Sequence, residues 1–183
     1  MTSSGHSTTP ELDALLSDGT LAGSWVLEAS KSEIRLRSKS MWGLSAVKGV
    51  FRQVAGSGTV SATGDASGTI TVAAESVDTN NKKRDEHLRS ADFFNVASYP
   101  DITVQADQVR PSGQGVTVTG SLTVRDRTRP VSFDARISSA DSGEIWLDGE
   151  VQVNRADFGL VWNQLGMTSM NNTITVHAVF TRK

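Results

Sequence analysis

The chain has 183 residues, with 18 Lys and Arg against 20 Asp and Glu and a net charge of -2. That length suits one domain with a sizeable core, and the interspersed charges argue against a nucleic-acid partner, which calls for a basic stripe. The absence of cysteine excludes a disulfide framework, a thiol nucleophile and a thiolate metal site.

Residues 1–9 are rich in Ser and Thr and read as a loose terminus. "TPELDALLSDG" follows and reads as a short helix. Thr9 suits the N-cap, Pro10 the first helical position and Gly19 the stop. Leu12, Leu15 and Leu16 share one face, which is expected to pack on the outside of the domain or on a partner. The terminus has no basic, apolar leader pattern. No later stretch approaches the roughly 20 apolar residues of a membrane span. A cytoplasmic protein without a transmembrane segment is therefore expected. The expected division is a flexible 1–22 with a short helix, then one domain over 23–183.

From Ser24 the apolar residues recur every second position. "SWVLEAS" and "SEIRLRSKS" read as a hairpin, with Ile34 and Leu36 on one face and Arg35, Arg37 and Lys39 on the other. "GVFRQVAGSGTVSA" and "GTITVAAESV" read as further strands. "GSGTVSATGDASG" between them reads as a long hairpin turn; it lacks the lysine and the helix of a phosphate loop. After residue 100 the pattern resumes through "DITVQADQV", "GVTVTGSLTVR", "PVSFDARISS", "EIWLDGEVQV" and "NTITVHAVFTRK". Alternating strands with Gly, Asp and Ser turns make an all-β, antiparallel fold. Its apolar face must be buried, by closing as a barrel or by stacking as a sandwich. The in-phase residues are mostly Val, Ile and Ala, which leave room inside and favour a barrel of about eight strands. The phase turns Ile70, Val72, Val104, Val118, Phe133, Leu147 and Val176 inward.

One stretch breaks this pattern. "KKRDEHLRSADFFNVASYPDI", Lys82 to Ile102, packs charges into a helical spacing and turns aromatic at Phe93 and Phe94. Asn80 or Asn81 can cap it, Asp85 and Arg89 are spaced to pair, and Arg84 and His87 share a face. Read alone, it is a solvated helix with an ion pair. Two further segments carry bulk near strand ends. "RSKSMWGL" offers Met41, Trp42 and Leu44, either as end packing or as a portal. "NRADFGLVWNQLGM" offers Arg155, Phe158 and Trp162, with a tight turn at Gly159. His6, His87 and His177 are too dispersed for a zinc site by spacing. No nucleophile elbow, Walker loop or dinucleotide fingerprint occurs.

"SVDTNNKKRDEHLRSADFFNVASYPDITV" resembles the signature of the YceI-like, polyisoprenoid-binding family. "WVLEASKSEIRLRSKS", "VKGVFRQVAGSGTV", "VTGSLTVRDRTRPVSFDA" and "VNRADFGL" resemble further family segments in order, across Ser24 to Phe180. The resemblance implies a single lipocalin-like antiparallel barrel around an elongated apolar pocket. Its family pattern falls on Arg84, Asp85, His87, Leu88, Phe93 and Phe94, and on Gly120, Leu122 and Thr123. The function it implies is non-enzymatic binding, storage or transport of an amphiphilic isoprenoid-like lipid of polyprenyl or prenyl-quinone type. The candidate ligand-binding residues are Met41, Trp42, Phe51, Arg84, Asp85, His87, Leu88, Phe93, Phe94 and Trp162. No catalytic residue, metal or cofactor beyond the bound lipid is expected, and a homodimer is compatible with the reading. The insert is expected to act as a lid, with one of Phe93 and Phe94 facing the pocket and the other packing. Two alternatives remain. One is an enzyme that cyclises or isomerises an apolar substrate with His87 as acid or base. The other is a ligand-free, stress-related structural domain.

Overall fold

The computed structural model describes residues 14–113, 115–139, 143–163 and 166–183. Among them the alternating pattern becomes eleven strands. These are β1 (Gly23–Leu27), β2 (Glu33–Ser40), β3 (Ser45–Phe51), β4 (Val54–Val60), β5 (Ala66–Ala73) and β6 (Val77–Asp78). Then come β7 (Asp101–Ser112), β8 (Gly115–Val124), β9 (Arg127–Ser139), β10 (Ile145–Asn154) and β11 (Asn171–Arg182).

The pairing reduces these eleven to eight staves. One edge of β11 carries β10. Its other edge carries β1 beside Phe180–Arg182 and β2 beside Asn172–His177. Thus β1 and β2 are one stave, broken at the 3-10 turn Ala29–Lys31. β3 pairs β2 while β4 pairs β1, so they form a second broken stave. β5 and β6 form a third, interrupted by the turn Ala74–Ser76. Added to β7 through β11, these close an eight-stranded antiparallel barrel.

The broken staves correct the expected hairpin of β1 and β2. A tight reversal favours residues at positive φ, and none occurs between Glu28 and Ser32. The chain continues along β11 instead. Ser32 bridges the gap, its hydroxyl donating to the Glu28 carbonyl (2.8 Å) and accepting from the Val179 N–H (3.0 Å). The other two breaks hold each other. The Arg52 N–H donates to the Ser76 carbonyl, and the Gln53 N–H to the Ser76 hydroxyl.

The Gly-rich 56–68 stretch also differs from expectation. The chain reverses between Ser61 and Asp65, where the Ser61 N–H meets the Asp65 carbonyl. Gly56, Gly58 and Gly68 lie inside β4 and β5. Gly58 sits opposite Trp25 on the inward face of β1, and a Cβ on Gly68 would lie 2.6 Å from the Ser57 carbonyl. A Cβ on Gly56 would lie 2.8 Å from the Thr69 carbonyl and 3.2 Å from Leu27. Large residues on one stave thus fill space vacated on the next.

The inward phase stands as read. Ile70, Val72, Val104, Val118, Phe133, Leu147 and Val176 all face the interior. His177 points outward beside Asp148. The two barrel ends differ. At one, residues 14–17 are helical and Leu16 and Leu21 are buried with Trp25, Val116 and Val118. The Trp25 indole N–H donates to the Leu21 carbonyl at 3.0 Å. This segment therefore plugs the barrel rather than lying outside it. Thr9, Pro10, Glu11 and Leu12, and His6, lie outside the described residues. At the other end stand the helix Lys82–Arg89, the β2–β3 tip and the segment after β10.

Candidate ligand-binding cavity

The insert is fixed to the barrel by a polar hub on Thr79, just past β6. Asp85 is 6% exposed. Its Oδ1 accepts from both the Thr79 N–H (3.0 Å) and the Thr79 hydroxyl (2.6 Å). Arg84 donates from Nε to the same hydroxyl and from Nη2 to the Thr79 carbonyl, both at 2.8 Å. Arg89 donates to the carbonyls of Glu75 and Val77. The expected Asp85–Arg89 pair therefore does not form, because each side chain finds a backbone partner on the barrel. Asn81 is the N-cap, its side chain accepting from the Arg84 N–H. Asn80 sits in the left-handed region at φ 59°, and its N–H donates to Asp78. That bond, aided by Arg52, holds the Asp78 carboxyl below its ordinary value.

Past the helix the chain folds back, and the Phe94 N–H reaches the Leu88 carbonyl at 2.9 Å. Phe93 and Phe94 thus stand on a turn, free of helical spacing, and both line the cavity. This corrects the expectation that only one would. Phe94 is buried edge-on against Phe51, with ring centroids 6.0 Å apart. Phe93 joins His87 and Trp162 in an aromatic roof. The His87 ring lies 4.3 Å from Trp162 and 5.2 Å from Phe93 in edge-to-face geometry. Asp92 Oδ2 lies 3.0 Å from His87 Nε2.

The cavity beneath has a volume of about 360 Å³ and runs from Leu16 and Leu21 to Thr79, Arg84 and His87. That size falls within the roughly 300–1,000 Å³ of small-molecule sites. Its walls are overwhelmingly Val, Ile, Leu and Phe, and its described lining holds no carboxylate and no lysine. Ser57, Thr59, Ser67 and Thr69 border it from the outward phase of β4 and β5. The inward polar groups gather at the insert end: Ser38, Thr79, Arg84, His87, Arg155 and Asn172.

Arg155 is the residue that sequence reading underused. It is 6% exposed. Its guanidinium donates to the carbonyls of Ser169 (3.1 Å), Leu160 (2.7 Å) and Trp162 (2.8 Å). Nη2 has no hydrogen-bond partner among the described residues, and the group lies 5.7 Å from the Phe93 ring centre. Burial pushes its pKa below the ordinary arginine value, with no opposing carboxylate among the described residues. The signal was present in the phase. Val151, Val153 and Arg155 alternate, as do Ile34, Leu36 and Ser38, and Asn172, Ile174 and Val176. A polar residue continuing an inward series marks the polar end of a cavity.

Of the sequence candidates, Phe51, Arg84, His87, Leu88, Phe93, Phe94 and Trp162 come together around the cavity. Three do not line it. Asp85 turns to Thr79 and anchors the helix. Met41 and Trp42 adopt φ of 49° and 54°, which swings them away from the interior. They are 51% and 72% exposed.

A closed barrel with an apolar interior and one polar end defines a lipocalin-like class. The chain belongs to the YceI-like family, whose domain matches residues 25–181. It is 44% identical to protein YceI of Escherichia coli over 68 residues. That match covers 37% of this chain and only 36% of the relative. Burkholderia cenocepacia BcnA shares the fold with a TM-score of 0.77 at 21% identity, over 84% of this chain and 98% of BcnA. A polyisoprenoid binding domain from Saccharophagus degradans implicated in plant cell wall breakdown has a TM-score of 0.70 at 16% identity. The overlap there is 87% of this chain and 98% of that domain.

Proposed function

We propose that the protein binds and carries an amphiphilic isoprenoid-like lipid, tail in the barrel and head at the insert end. The observation that supports this most is the polarity gradient of the barrel cavity, carbon-lined along its length and polar at the Arg84–Arg155 end. The polyisoprenoid binding domain of Saccharophagus degradans, similar in fold, agrees with the tail class. Two arginines, a histidine and no carboxylate favour a head bearing acceptor oxygens, a quinone carbonyl or a phosphate. Affinity comes from the tail, at about 0.8 kcal/mol per buried methylene in transfer terms. The head sets direction. The one carboxylate paired with His87, Asp92 at 3.0 Å, lies outside the cavity lining, and the described lining itself holds no second acid to act on a substrate opposite His87. Carriage without turnover is the reading we adopt.

Native mass spectrometry of freshly purified protein tests it. Bound apolar mass is expected, released by organic solvent. Added prenyl quinone should raise the melting temperature of the emptied protein, about 2.7 kcal/mol of stabilisation at a hundredfold excess over Kd. Prenyl compounds sharing a tail should rank quinone and phosphate above an amine, and His87→Ala should alter that ranking. Empty protein with no shift for any prenyl compound contradicts the proposal.

A further inference from the structure

Seven large apolar side chains are strongly exposed among the described residues, and five of them belong to the insert end. Met41 (51%), Trp42 (72%) and Leu44 (87%) form the β2–β3 tip, while Val161 (59%) and Trp162 (40%) lie on the segment after β10. The two segments touch, since the Trp42 N–H donates to the Met167 carbonyl at 3.2 Å. The tip is held outward by its backbone. Met41, Trp42 and Gly43 all have positive φ, a conformation uncommon for the first two residue types. Ordinary end packing would fold Met41, Trp42 and Leu44 over the barrel mouth, yet none of the three lines the cavity and all are exposed.

The strands behind the tip are basic. Arg37, Lys39 and Lys48 are exposed on the outer face of β2 and β3, and none forms an ion pair among the described residues. Arg37 and Lys48 are direct cross-strand partners. Like charges so placed repel, and the molecule as a whole is acidic, at -2. Lys82 and Lys83 add exposed cations at the start of the insert helix, at the same end.

We infer that this tip docks the protein on an anionic lipid bilayer, Trp42 and Leu44 entering the interface and Lys39 and Lys48 meeting lipid phosphates. The charge complementarity selects this occupant. An exposed indole suits the boundary between headgroups and acyl chains, and cations at an anionic surface each add attraction. The surface surrounds the polar end of the cavity. If the carrier reading of the preceding section holds, docking would set that end against the bilayer from which a lipid is taken or to which it is returned.

The test is cosedimentation of the emptied full chain with vesicles of phosphatidylcholine alone or of phosphatidylcholine with phosphatidylglycerol. Binding is expected to the anionic vesicles, to weaken with added salt, and to be lost with Trp42→Ser combined with Leu44→Ser. Removing two cations with Lys39→Gln and Lys48→Gln should lower the partition coefficient roughly 30-fold, about fivefold per cation. Melting temperature and prenyl-quinone binding of the Gln variants should match the parent, showing intact barrels. Equal sedimentation of parent and variants overturns the inference. So does absence of sedimentation with either vesicle, which would assign the patch to a protein partner. Because no cargo is present, vesicle binding can succeed while cargo binding fails, and the reverse.

Discussion

Thr79 gathers the insert to the barrel through its amide, its hydroxyl and its carbonyl. Asp85 takes the first two and Arg84 the last two. Asp85→Ala leaves a buried N–H without its acceptor, which costs about 1–3 kcal/mol. Asp85→Asn keeps an acceptor oxygen at the same place and should cost less. Urea unfolding of both variants checks the order. Phe94 is the corresponding apolar anchor. Its truncation to Ala beside Phe51 should lower stability by about 3–5 kcal/mol, read in the same way. The residue types of this hub stood in the sequence, but their partners did not. Spacing on a helix offers Asp85 to Arg89, and it cannot show that Thr79 and the carbonyls of Glu75 and Val77 lie closer. Arg155 makes the complementary point. Its place in an inward series was legible, while the three carbonyls that hold it come from a segment with no periodic pattern.

At the scale of elements, the strands follow from alternation, but their breaks do not. A stave interrupted by a three-residue 3-10 turn keeps nearly the same apolar rhythm as two strands joined by a loop. Whether the chain reverses or continues depends on which edge it meets, a property of β11 and not of residues 28–32. Ser32 carries the consequence, since its hydroxyl replaces a backbone partner for Val179. Ser32→Ala should cost about 1–3 kcal/mol, because Val179 is buried and its N–H loses its acceptor. Hydrogen exchange at the Val179 amide should accelerate with it. An unchanged exchange rate would show that the break is held by other contacts. The helical segment behaves likewise. Its existence and cap were readable from Asn81 and the charge run, whereas its role as a roof depends on Phe93 and Trp162 meeting His87 across the barrel mouth.

For the whole molecule, closure decides what the sequence pattern means. In a closed eight-stranded barrel every inward position faces every other, so small side chains become volume. Gly56 lies beside Leu27 and Gly58 opposite Trp25, and the remaining Val and Ile walls leave the 360 Å³ cavity. The N-terminal segment shuts one end with Leu16 and Leu21, so the polar groups at the other end define a single direction for an amphiphile. A ligand that fits by length should show that direction in its energetics. Affinity should rise with each buried methylene and stop when the tail reaches Leu16 and Leu21.

The most direct measurement is a calorimetric titration of the emptied protein with prenyl quinones that share one head and differ only in tail length. Kd should fall with length, by at most roughly fourfold per buried methylene, and then level off once the cavity is full. A Kd independent of tail length, or no binding at any length, would contradict the claim that the barrel interior is the site of the lipid tail.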